Sequence, residues 1–174
     1  MNRSFKLKAV LFFAIACMFS VLTTKAQDAK KPPASPRDSV SSAVNGATIT
    51  INYGSPSVRD RKIYGGLVPY DSVWRTGANA ATTITFSKDV VIEGKPLTAG
   101  KYGFFAIPGK KSWVIIFNSV ADQWGAFKYD ATKDVLRVTV KPKTVAKSER
   151  LVYTIDAKGF ALTWDTLTVP VKVK

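Results

Sequence analysis

Arg75 and Asn79 are the side chains with the most chemistry to offer. They frame the run Arg75-Thr76-Gly77-Ala78-Asn79, where a planar guanidinium and a primary amide on one glycine-containing loop could fix a carboxylate, a phosphate or a sugar hydroxyl. The same two groups could instead pair backbone amides and carbonyls that a long loop leaves without partners. Trp74, next to Arg75, is a sugar-stacking platform if exposed and core if buried. Trp124, in Gln123-Trp124-Gly125, is the indole whose loop setting most favours exposure. Trp74, Arg75, Asn79 and Trp124 are therefore the candidate ligand-binding residues.

What is missing narrows the chemistry more sharply than any motif. The chain has no histidine and one cysteine, Cys17, which falls in an apolar run near the N-terminus. A histidine-activated serine or cysteine nucleophile, a histidine-bound zinc or copper, and a dithiol redox centre all need side chains that are absent. No metal or cofactor is expected, and carboxylate chemistry, lysine or serine chemistry, and binding without catalysis remain. A glycosidase of that kind needs two carboxyl groups about 5–10 Å apart across a cleft. Asp71 and Asp89, which bracket the loop of Arg75, are the pair such a hydrolase would use. The other acids, such as Asp122, Asp156 and Asp165, sit where turns and strand ends place ordinary surface carboxylates. Asp130 and Asp134 lack the glycine and the bidentate glutamate of a calcium loop. The residues thus favour a non-enzymatic binding module, with a carboxylate-based hydrolase acting on glycans as the alternative.

A loop this chemically loaded needs a scaffold. Residues 61–79, RKIYGGLVPYDSVWRTGAN, pair two glycines and a proline with a buried-type aromatic, the composition of a long ordered loop laid over a core. Around it the dominant pattern is alternation with a period of two, which sends successive side chains to opposite faces of a strand. Ile49, Ile51 and Tyr53 alternate with Thr48, Thr50 and Asn52, and Ile84 and Phe86 with Thr83, Thr85 and Ser87. Residues 89–92 and 95–97 flank Glu93-Gly94 as a short hairpin. Residues 101–107 and 112–118, joined through Pro108-Gly109, are apolar on both faces and belong at the centre of a sheet or between layers. Residues 134–141 alternate again, 151–155 and 160–164 form a hairpin about Lys158-Gly159, and Leu167, Val169, Val171 and Val173 alternate to the end. Pro170 assigns that last strand to an edge. No stretch has helical periodicity, so the fold class is all-β: a single antiparallel β-sandwich or flattened barrel.

Arg3, Lys6 and Lys8, the apolar run 9–22 and Thr24-Lys25-Ala26 have the three regions of a secretory signal peptide. The run is shorter than the roughly 18–20 residues a membrane span requires. We expect a leader over 1–26, a Pro/Ser/Lys-rich tether and first ordered segment over 27–47, and the sandwich over 48–174, exported to the periplasm or secreted. Lipid attachment at Cys17 is disfavoured because the apolar run continues past it. The net charge is +14, and +10 (22 basic minus 12 acidic) without the leader. Lysines such as Lys101, Lys110, Lys141, Lys143 and Lys172 are scattered along the sequence, which fits solvated outer faces better than attraction to an anionic partner such as a cell-surface polymer, a lipid head group or nucleic acid, and no nucleic-acid partner is expected. An envelope glycan or protein is the expected partner.

The motifs SPRDSV, ITINYGSPSVRDRKIYGGLVPYDSVWRTGANAATTITFS, LTAGKYGFFAIPG, WVIIFN, QWGAF, YDATKDVLRV and LTWDTLTV occur in this order from Ser35 to the C-terminus. Over that span the chain closely resembles the bacterial domain-of-unknown-function family 2911. The resemblance implies a small exported β-rich domain and carries no activity, substrate or cofactor. Two departures stand out: the family commonly has a glutamate where this chain has Ala80, and many members have a histidine where it has Phe105. Arg75 and Asn79 match the family's polar pair.

Overall fold

The computed structural model describes residues 33–174. The expected leader, Cys17 and the start of the tether lie outside the described residues. Ten strands follow one another: β1 (Arg37–Val44), β2 (Ala47–Gly54), β3 (Thr82–Phe86), β4 (Val90–Ile92), β5 (Lys95–Leu97), β6 (Gly100–Pro108), β7 (Trp113–Asn118), β8 (Asp134–Val140), β9 (Lys143–Asp156) and β10 (Gly159–Lys172). Among the described residues no helix is long and apolar enough to cross a membrane.

Six strands form one antiparallel sheet in the order β1-β2-β3-β6-β7-β8. Asn45 and Gly46 both take positive φ (49° and 83°), as a two-residue hairpin turn requires, and this sets β1 along the whole of β2. β1 lies within the stretch read as tether and first ordered segment. Its side chains are mostly exposed, so the ladder to β2 is what orders it.

The long β9–β10 ribbon covers the inner face of this sheet. Ile51, Ile84, Phe104 and Phe117 from the sheet meet Tyr153, Phe160, Trp164 and Val171 from the ribbon in one continuous core. At roughly 1.5–3 kcal/mol for each fully buried large apolar side chain, this layer is the main stabilising term of a domain that contains no cysteine within residues 33–174. The ribbon is sewn to its neighbours along both margins. Leu151 N donates to Pro56 O and Val58 N to Glu149 O, while Val91 and Lys174 exchange both of their backbone bonds. The fold is thus the expected antiparallel β-sandwich.

Two elements differ from expectation. The stretches 159–164 and 167–172 are one coiled strand, bent by irregularities on either side of Asp165, whose φ is 52°. Pro170 falls beyond the last β9 partner pair, Thr168 with Lys143, so its missing N–H costs no ladder bond. The strand β9 begins at Lys143, well before the apolar 151–155. A smaller cluster of Ala81, Phe105 and Ile116, packed with Val73, Ile107 and Tyr129, lies on the opposite face of β6 and β7. The central hairpin is therefore buried on both sides.

Candidate functional site

Residues 55–81 connect β2 to β3 and carry the Arg75 loop. Asp71 N donates to Pro108 O (2.8 Å), and Trp74 and Ala106 exchange backbone bonds of 2.8 and 2.9 Å. The loop thus takes over the place beside β6 that β3 leaves beyond Thr82. Residues 75–81 then bulge away from the sheet, and the bulge closes where Thr82 N donates to Arg75 O (3.3 Å). Thr76 anchors it from within: its Oγ1 donates to Phe104 O (2.9 Å), and its carbonyl accepts from Tyr153 Oη (2.8 Å) and Thr82 Oγ1 (3.1 Å). Burial raises the Tyr153 pKa, with its bonded neighbours opposing in part, so the phenol remains a donor.

The bulge presses on β2 backbone to backbone. A Cβ at Gly54 would collide with the Ala78 carbonyl, and one at Gly77 would come within 2.9 Å of Thr82 Oγ1 and 3.0 Å of Gly54 O. Thr76 and Asn79 both take left-handed φ (52° and 65°), a conformation that costs about 1 kcal/mol or more for a residue other than glycine. This geometry is held by the surrounding bonds and aims the Arg75 and Asn79 side chains to one side.

Trp74 is buried. It stacks on Trp164 (centroids 6.0 Å, planes 18° apart) and meets Trp113 edge-on at 6.1 Å, so it braces the loop on the core and offers at most a ring margin to a ligand. Asn79 Nδ2 donates to Ser35 O (3.2 Å), tying down the chain ahead of β1. Arg75 differs from both. It is partly buried, its Nε has no hydrogen-bond partner, and among the described residues no carboxylate lies within ion-pair distance. Burial alone lowers its pKa from the ordinary arginine value. Trp74, Arg75 and Asn79 converge on a cavity of about 320 Å³, together with Arg61, Leu67 and Trp164. The Arg61 guanidinium is engaged elsewhere, donating to Val58 O and Ser57 O. Arg75 therefore supplies the cavity's uncommitted positive charge.

Trp124 is not part of this cavity. Its indole is 67% exposed over a separate open cleft of about 380 Å³ on the outer face of the sheet, with Asn52, Thr83 and the Lys101–Asp122 ion pair. Gly125 N bonds Asn79 O and Ala81 N bonds Gln123 O, so one backbone segment separates the two spaces. Ala80 lines the Trp124 cleft, and Phe105 is sealed against Tyr129 at 5.1 Å. Ala80 and Phe105 thus leave this face apolar at both positions.

The carboxylate pair of the hydrolase reading is not assembled. The Asp71 amide bonds Pro108 at one end of β6, whereas Asp89 Oδ1 accepts from Ala99 N at the other. At about 3.3 Å per strand residue the two acids stand roughly 30 Å apart, several times the span a glycosidase uses. Asp130 caps a 3-10 turn by accepting from Thr132, and Asp134 binds Tyr129, Arg137 and Asn118. Among the described residues no group of three or more acids, histidines or cysteines could hold a metal ion.

The structure also gathers residues that sequence order disperses. Lys141, Lys143, Lys158 and Lys172 line one groove of about 570 Å³. Lys141 and Lys172 adjoin inward-facing apolar residues, whereas Lys143 opens a polar run and Lys158 sits in a turn, and nothing in the sequence marks the four as close to one another.

No curated protein and no solved structure matches the chain. The family model described as "Protein of unknown function (DUF2911)" matches residues 35–173, nearly all of the described structure, and the chain belongs to that family.

Proposed function

We propose that this domain is a non-enzymatic binding module of the exported compartment, which grips an anionic group of an envelope glycan or protein with Arg75. One observation carries the reading: a partly buried guanidinium with no carboxylate partner and a buried, unpartnered Nε, on a residue that lines a cavity. Withdrawing a cation from water without giving it a partner is unfavourable, and a chain retains such an arrangement at low cost only if a partner arrives later. A carboxylate or phosphate in the cavity would give the guanidinium the counter-charge it lacks, through a planar two-pronged contact. Asn79 is anchored to Ser35, so its contribution is to fix the wall of the cavity. The hydrolase alternative has no comparable support, since Asp71 and Asp89 occupy opposite ends of β6.

The test is titration of the purified protein with carboxylate- and phosphate-bearing glycan fragments and acidic peptides, followed by calorimetry and by the fluorescence of Trp74 and Trp164. Saturable binding that Arg75→Gln abolishes and Arg75→Lys weakens supports the proposal. Binding that survives Arg75→Gln, or a complete panel without any saturable heat, defeats it.

A further inference from the structure

The lysine groove lies where the end of β8 diverges from the β9–β10 ribbon. Lys141 follows β8, Lys143 opens β9, Lys158 sits in the β9–β10 turn and Lys172 closes β10, and all four are exposed. Its two acids are occupied by backbone amides: Glu93 Oε1 accepts from Lys172 N (2.6 Å) and Asp156 Oδ1 from Lys158 N (2.7 Å). Among the described residues none of the four ammonium groups takes part in an ion pair. Lys174 extends the row through an adjoining pocket that Lys158 and Lys172 also line.

The backbone beneath these lysines is fixed. Val173 N donates to Lys158 O, and Gly159, at φ 141°, lies so close to the Val171 carbonyl that no Cβ could be accommodated. Lys158 and Lys172 are thereby held side by side, so part of the ordering cost of binding is already met. Between the charges the groove's apolar surface comes from the half-buried Ala161 and Pro170, with Val140 and Phe160 beneath them. The Phe160 ring is buried and presents no face on which a nucleobase could stack.

We infer that this groove is a second binding site, which takes a linear acidic polysaccharide. Carboxylates on successive sugars meet the lysine row while the C–H faces of the rings lie on the apolar strip. A bare phosphate polymer has no apolar face to match that strip, and a point-charge ammonium row suits spaced single charges better than two-pronged recognition. The groove shares no residue with the Arg75 cavity, so the two proposals stand or fall separately.

The purified protein is titrated into fluorescein-labelled oligogalacturonate, read by anisotropy at low and at physiological ionic strength. Saturable binding that weakens with salt is expected. The double variant Lys143→Gln/Lys158→Gln loses about tenfold in affinity, from two exposed charge contacts of under about 1 kcal/mol each. Lys110→Gln/Lys111→Gln, which removes equal charge at the β6–β7 turn, changes affinity by less than about twofold. Melting curves of both variants should coincide with that of the parent, because the substituted side chains are exposed. An equal loss from the turn variant would reduce the effect to net charge and overturn the proposal. So would an absence of saturable binding at low salt, or groove-dependent binding of inorganic polyphosphate in place of oligogalacturonate.

Discussion

Arg75→Met separates a ligand site from a structural brace, because the two roles predict stability changes of opposite sign. Methionine keeps an unbranched stem in the cavity and removes only the guanidinium. A buried donor left without a partner costs about 1–3 kcal/mol, and the partial exposure of Arg75 brings the figure toward about 1 kcal/mol. Removing it should therefore stabilise the ligand-free domain by about 1 kcal/mol, a rise in Tm of about 2–4 °C for a chain of this size. Asn79→Ala should do the reverse, since it breaks the bond to Ser35 O, at about 0.5–1.5 kcal/mol. Thermal and urea unfolding followed by circular dichroism give both values. A ligand at a hundred times its Kd should stabilise the parent by about 2.7 kcal/mol and leave Arg75→Met unaffected. If Arg75→Met instead melts several degrees below the parent, the guanidinium is holding the loop, and the argument from its missing partner fails.

Two further outcomes follow from the core and the tyrosines. Trp74→Ala should cost about 3–5 kcal/mol, because it removes the ring that stacks on Trp164 and abuts Trp113; a cost near zero in urea unfolding would mean the ring is not core. At high pH, burial raises the phenol pKa values of Tyr64 and Tyr153, and burial followed by the Asp134 hydrogen bond pushes Tyr129 up to about 12. The folded chain then retains protons that the unfolded chain gives up near pH 10. This contribution to stability is complete below pH 10 and is lost as pH rises toward 12 and above. Phenolate absorbance and circular dichroism should change together in that range, and titration of every tyrosine near pH 10 with the fold intact would contradict it.

The sheet could be read from the sequence because its strands have one wet and one dry face, as in Thr48 to Tyr53, or two dry faces, as in the β6–β7 hairpin. The first half of β9 could not. Lys143 to Arg150 is polar at almost every position and largely exposed, so it is ordered by ladder bonds to β10, which leave no periodic trace. The same reason explains β1. Arg75 and Asn79 were legible as a polar pair, but their division of labour was not, since it depends on Ser35 reaching Asn79 and no acid reaching Arg75. Trp124 was legible as exposed; its separation from the Arg75 cavity follows from the backbone pairing of residues 79–81 with 123–125. The lysine groove leaves no trace in the sequence because Lys172 reaches Lys158 only when β10 bends at Asp165 and returns to its own turn.

That return has a consequence for how the chain acquires its structure. The final strand supplies Val169, Val171 and Val173 to the core and pairs through Lys174 with Val91, while β9 closes on residues 56–58 almost a hundred positions earlier. Such distant pairings form slowly, and the two layers join only once β9 and β10 are available. Until then the sequential hairpins of the six-stranded sheet have no layer over their apolar face, and that uncovered face is the aggregation-prone stage of folding.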